Sequence, residues 1–98
     1  MNPFAVDDMA IYPDVAQDLI KKCRDYRARK LPLGVIKAEL WNAAQQTVAV
    51  EESELRRALQ AAEGRLDILE HTVDSNALFD ETKLIVLDVE RRLGEYLG

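Results

Sequence analysis

From Leu55 to Val73 the chain places apolar residues at Leu55, Leu59, Ala62, Leu66, Leu69 and Val73, in steps of four and three without a miss. That alternation draws one continuous stripe along an α-helix; on a strand, where side chains alternate with a period of two, the same residues would scatter over both faces. A stripe of this length has to be covered by other apolar surfaces of similar length. The rest of the chain supplies them. Ala16, Leu19, Cys23 and Tyr26 recur at three, four and three, and Leu33, Ile36, Leu40, Ala43 and Thr47 at three, four, three and four. Phe79, Thr82, Val86, Val89, Leu93 and Tyr96 repeat the pattern again.

Punctuation sets the boundaries. Pro13 and Pro32 suit the first turn of a helix, where the missing N–H would be unpaired anyway. The β-branched stretch from Thr47 to Val50 breaks the second stripe, and the acidic Glu51, Glu52 and Glu54 around Ser53, a candidate cap, mark the start of the third. Asp74, Ser75 and Asn76 form a turn or cap cluster before the fourth. Helices are therefore expected over residues 13–30, 32–46, 53–73 and 77–97. Leu84, Ile85, Val86 and Leu87 are consecutive and resemble a strand, but the helical period continues on both sides and a lone strand would leave its edge unpaired. Gly64 falls on the outward side of the third helix, where it costs about 1 kcal/mol of helix propensity relative to alanine. Residues 1–11 carry Phe4, Val6, Met9 and Ile11 in no regular period, with Asp7 and Asp8 between them, and read as an N-terminal arm. The prediction is an all-α fold with residues 1–98 as a single domain, a small antiparallel bundle of about four helices.

Composition removes several function classes. At 98 residues the chain has room for one core. No run approaches the ~18 consecutive apolar residues of a membrane span. The N-terminus shows no signal-peptide pattern, and the single Cys23 excludes an internal disulfide, so the expected location is cytoplasmic. A catalytic constellation needs nucleophile, base and electrophilic partner, and one cysteine with one histidine is a thin inventory. Cys23 lies on an apolar stripe and reads as a small core residue. His71 has Asp67 one turn before it and Asp74 one turn after, which suggests a metal, but bundle metal sites draw ligands from several helices and no second histidine exists. No phosphate loop or nucleophile-elbow pattern occurs. The expectation is a non-enzymatic protein with no cofactor and no metal.

Charge is distributed unevenly. The total is −5; residues 12–31 carry +3, residues 32–50 are neutral, and residues 51–74 carry −4. Glu63, Asp67, Glu70 and Asp74 step by four, three and four, so they form one ridge beside the apolar stripe of the third helix. Like charges at such spacings destabilise a helix by ~0.2–0.5 kcal/mol per pair, so the ridge calls for cations opposite it. These would come either from Lys21, Lys22 or Arg24 of the first helix or from a basic partner. The opposite feature is the cluster Lys21, Lys22, Arg24, Arg27, Arg29 and Lys30, which could meet phosphate, although the acidity of the remaining surface disfavours nucleic acid. Finally Trp41, Ile68, Leu84 and Leu87 lie off their stripes and must be covered, by the N-terminal arm, by a partner or by a second copy.

In size, acidity and helical make-up the chain resembles small bacterial inhibitors, including immunity proteins that block toxins and anti-defence proteins; the similarity is one of composition. It implies a protein-binding inhibitor whose ridge Glu63, Asp67, Glu70 and Asp74 docks on a basic protein surface, with Trp41, Leu84 or Leu87 supplying apolar area. A helical homodimer or adaptor is the first alternative, and a nucleic-acid-binding regulator using the basic end of the first helix the second.

Overall fold

The four apolar stripes close on one another along a common axis. A computed structural model describes residues 13–47 and 53–98, and among these there are four helices and no strand. They are α1 (Pro13–Arg27), α2 (Leu33–Gln46), α3 (Ser53–Thr72) and α4 (Ser75–Leu97). The arm, residues 1–11, and the break at residues 48–52, including Glu51 and Glu52, lie outside the described residues. Each helix packs on its sequence neighbour, α1 also packs on α4, and the diagonal pairs do not touch. Between α2 and α3 Lys37 meets Asp67 and Thr47 meets Arg56, and between α1 and α4 Arg24 meets Glu90, Tyr26 meets Thr82 and Arg29 meets Phe79, while Lys22 joins α1 to Glu39 of α2. Ascending positions on one helix thus face descending positions on the next, so the ring runs up, down, up, down. This is the all-α bundle expected, with the helix order now defined.

The core holds the predicted stripes. Cys23, Ile36, Leu40, Leu59, Leu66, Val86 and Leu93 are fully buried, and Leu55, Leu69, Phe79 and Tyr96 pack against them from the margins. Ala44 and Ile85, which lie off the predicted stripes, join the interior. Two polar side chains are buried with them, and both are satisfied. The Thr82 hydroxyl donates to the Leu78 carbonyl at 2.8 Å, so its oxygen is left to accept from the Tyr26 hydroxyl at 2.6 Å. Thr47 donates to the Ala43 carbonyl at 2.8 Å, while its own carbonyl accepts from the Arg56 guanidinium at 3.0 Å. Among the described residues no buried side-chain nitrogen or oxygen lacks a hydrogen-bond partner.

Four boundaries differ from the sequence reading, one of them the end of α3 at Thr72, one residue before Val73. Pro32 caps α2 from outside, its carbonyl accepting from Val35 and Ile36, and α4 begins at Ser75 with Asp74 as its cap residue. The largest difference is at the end of α1, which stops at Arg27 instead of continuing to Lys30. Arg29 turns into the left-handed region at φ 63°, its N–H bonds to the Tyr26 carbonyl at 2.9 Å, and the Lys30 N–H bonds to the Asp25 carbonyl at 2.8 Å. These two bonds are a Schellman closure, a position that usually takes glycine because a side chain there costs about 1 kcal/mol. Here the arginine side chain offsets the cost: its guanidinium lies over the Phe79 ring, 3.9 Å from the centroid. Tyr26 packs on the same ring with centroids 5.5 Å apart. No glycine signal was present to end the helix, so the period of basic residues concealed the stop.

Glycine is also found where geometry does not demand it. Gly34, Gly64 and Gly94 lie within helices, and a methyl group added at any of them would meet nothing within 4 Å.

The Arg29 geometry separates two substitutions. Arg29→Ala keeps the left-handed strain and loses the ring contact, whereas Arg29→Gly loses the contact but relieves the strain. Denaturant unfolding should place Arg29→Ala about 1 kcal/mol below Arg29→Gly, with the glycine variant close to the parent. Equal stability of the two variants would exclude the strain.

Candidate functional site

The acidic ridge is where the sequence placed the strongest expectation, and its neighbours are now defined. Lys37, the only cation in residues 32–50, reaches from α2 across to α3. Its ammonium donates to Asp67 Oδ1 at 2.8 Å and to Glu70 Oε1 at 2.5 Å. The side chain is largely covered, at 18% exposure. The hydrogen bonds from Lys37 hold the Asp67 carboxyl below the usual carboxylate range, and the same bonds push the Lys37 ammonium above its ordinary value. The cations expected from α1 are elsewhere: α1 lies diagonally across the bundle, so Lys21, Lys22 and Arg24 cannot face the ridge.

Glu63 and Asp74, at the two ends of the ridge, make no ion pair among the described residues. Asp74 caps α4 by position only, with no side-chain bond to the helix. Trp41 lies one turn along α2 from Lys37, at the level of Glu63 in the antiparallel register, and is 53% exposed. The α2–α3 face therefore presents an exposed indole beside the α3 carboxylates Glu63, Asp67 and Glu70, with a single ammonium between the last two, while Asp74 lies beyond the end of α3 as the cap residue of α4.

Asp67, Glu70 and His71 have potential ligand atoms within 4.8 Å of one another. The two carboxylates already hold the lysine ammonium. His71 Nδ1 lies 2.8 Å from the Asp67 carbonyl, which only accepts, so this ring nitrogen carries a proton and is spent on the backbone. Asp74, the other neighbour suggested by spacing, is not part of the group.

Most of the basic cluster at the end of α1 is engaged internally, Lys30 being the member with neither an ion pair nor a ring contact among the described residues. Lys21 pairs with Asp25 at 3.1 Å, and Lys22 with Asp18 and Glu39 at 3.4 and 3.2 Å. Arg24 and Arg27 both hold Glu90 of α4: Arg24 Nε donates to Oε1 at 2.9 Å, and Arg27 grips both oxygens at 2.8 and 2.9 Å. Arg29 is on Phe79. A polyanion would have to displace these partners. Cys23, fully buried nearby, has its thiol pushed up to about 12, chiefly by burial and then by Glu90. It is protonated at neutral pH and lacks the thiolate that reactivity requires.

Leu84 and Leu87 do not join Trp41. Leu84, 60% exposed, lies on the α3–α4 side, whereas Leu87, 46% exposed on the same helix, does not line the groove there. Arg65, Ile68, Leu69, Glu81, Leu84, Ile85 and Asp88 line a groove of about 550 Å³ there. Among the described residues the other three seams are each bridged by an ion pair, and this seam is not. Asp88 instead pairs along its own helix with Arg91 and Arg92, bonds that hold its carboxyl below the usual range. The sequence reading missed Lys37 and Glu90 as partners. Their signal was a charged residue adjoining an apolar stripe, at one step from Ile36 and from Val89.

Among the described residues no helix is long and apolar enough to cross a membrane. Compared with protein-family models, curated proteins and solved structures, the chain has no match in any of the three.

The lowered Asp67 carboxyl makes a pH-dependent contribution to stability. A carboxyl lower in the folded than in the unfolded state stabilises above the unfolded value, and the contribution is lost as pH falls through the folded one. Thermal melting of Lys37→Met should therefore lie below that of the parent at neutral pH, and the gap should narrow as pH drops below about 4. A gap that persists once all carboxyls are protonated would assign the effect to lost packing of the lysine stem.

Proposed function

We propose that the protein is a non-enzymatic protein-binding domain, of the small acidic inhibitor or immunity type, that docks the α2–α3 face on a basic protein surface. The observation that carries this reading is the exposed Trp41 beside the α3 carboxylates Glu63, Asp67 and Glu70, with Asp74 following at the start of α4. Tryptophan supplies the largest apolar area of any side chain together with one hydrogen-bond donor, and is over-represented among residues that dominate interface energies. Carboxylates around it steer a basic partner and fix its orientation. Lys37 fits this role without cancelling it. One ammonium among four carboxylates leaves the ridge net negative, while holding Asp67 and Glu70 in fixed positions before a partner arrives. A preordered acidic pair loses less side-chain freedom on binding than a free one.

Capture from a lysate of the source cells, with partner identification, is the direct test. The parent chain should retain a basic protein in a salt-sensitive manner. Glu63→Lys combined with Asp74→Lys should weaken retention by at least about tenfold, as should Trp41→Ala. Both leave the Lys37 pairs and the core intact, so helicity should be unchanged. Equal retention by parent and charge-reversed chains would remove the ridge from the interface.

A further inference from the structure

The α3–α4 groove carries a separate inference. Its floor is apolar: Ile68 from α3 and Leu84 from α4, each 60% exposed, lie at the same level in the antiparallel register, with Leu69 and Ile85 beneath them. At the level of Ile68 and Leu84 its edges have opposite signs. Arg65 stands on the α3 edge, and Glu81 and Asp88 stand on the α4 edge. Asp88 is engaged by Arg91 and Arg92, whereas Arg65 and Glu81 make no ion pair among the described residues. The groove continues past Ile85 along the seam, lined by Arg57, Ala58, Ala61, Ala62 and Arg92 with Glu54 at its end.

We infer that the occupant of this groove is a second copy of the chain. A partner of one charge sign suits one edge and is repelled by the other. Residues 1–11, whose charged side chains are Asp7 and Asp8, would bring their negative charge to Glu81. A two-fold pairing resolves the conflict, because in such an interface the same patch meets itself and each contact occurs twice. Laying α3 of one copy across α4 of the other sets Ile68 on Leu84 and swings Arg65 toward the acidic edge, where Glu81 is free. The α2–α3 face with Trp41 stays outside this interface, so self-association and docking of a basic partner are independent.

Sedimentation equilibrium of the full chain over a wide concentration range tests this. The parent should show a monomer–dimer equilibrium. Arg65→Glu and Glu81→Arg should each raise the dissociation constant by at least about tenfold, and combining them should restore it to near the parent value. Leu84→Asp, at an exposed position where the core is untouched, should give a monomer of unchanged helicity. A parent chain that is monomeric at every concentration overturns the inference and leaves the groove to another occupant. So does a double reversal no tighter than the single ones.

Discussion

Everything in this bundle depends on closing the seam between α1 and α4. The other three seams join helices adjacent in sequence through short connections. The α1–α4 seam instead brings together residues fifty or more positions apart, so the entropy of closing the chain is concentrated there. The interactions that oppose it are correspondingly dense. Tyr26 donates to Thr82 inside the core, Arg24 and Arg27 converge on Glu90 at its margin, and Arg29 lies on Phe79 at the end. Cys23 is buried against the same seam, and the burial that disables its thiol is a by-product of this closure. Contacts of this separation are also the slowest to form, which makes the seam the natural last step of folding.

Charge follows the ring topology. The opposition of a basic first helix and an acidic third helix, visible in the segment charges, is not resolved by pairing those two helices, because they occupy diagonal positions. Each instead pairs with a neighbour: α1 with Glu39 and Glu90, and α3 with Lys37. Among the described residues the result is a body with bridged charges at three seams and open ones at the fourth. Two faces remain chemically distinctive, an acidic one that carries an indole and an apolar one with edges of opposite sign. They lie on either side of α3, so one helix serves both.

How much of this was legible follows from what periodicity encodes. Apolar stripes record which side of each helix is dry, and Ala16, Leu40, Leu66 and Val86 are buried as their spacing required. The exposed Trp41, Ile68, Leu84 and Leu87 were likewise identifiable as residues off their stripes. Pairing between helices is a different kind of information. Lys37 is a single lysine in a neutral segment, and only the register of α2 on α3 reveals that it spans two carboxylates. The stop of α1 was hidden for a local reason: the residue in the left-handed position is an arginine held by a ring 50 residues away, and sequence carries no sign of that contact. The seam lacking an ion pair could be read only once the helix order was known.

The three helical glycines with open space at the missing methyl have a consequence for the lifetime of the native state. Each gives up about 1 kcal/mol of helix propensity that alanine would restore without a clash. Against a typical total of about 5–15 kcal/mol, that is a substantial unused reserve. The fold therefore stands well below the stability its own backbone permits, and modest sequence drift at three surface positions would alter its persistence in the cell without altering its shape.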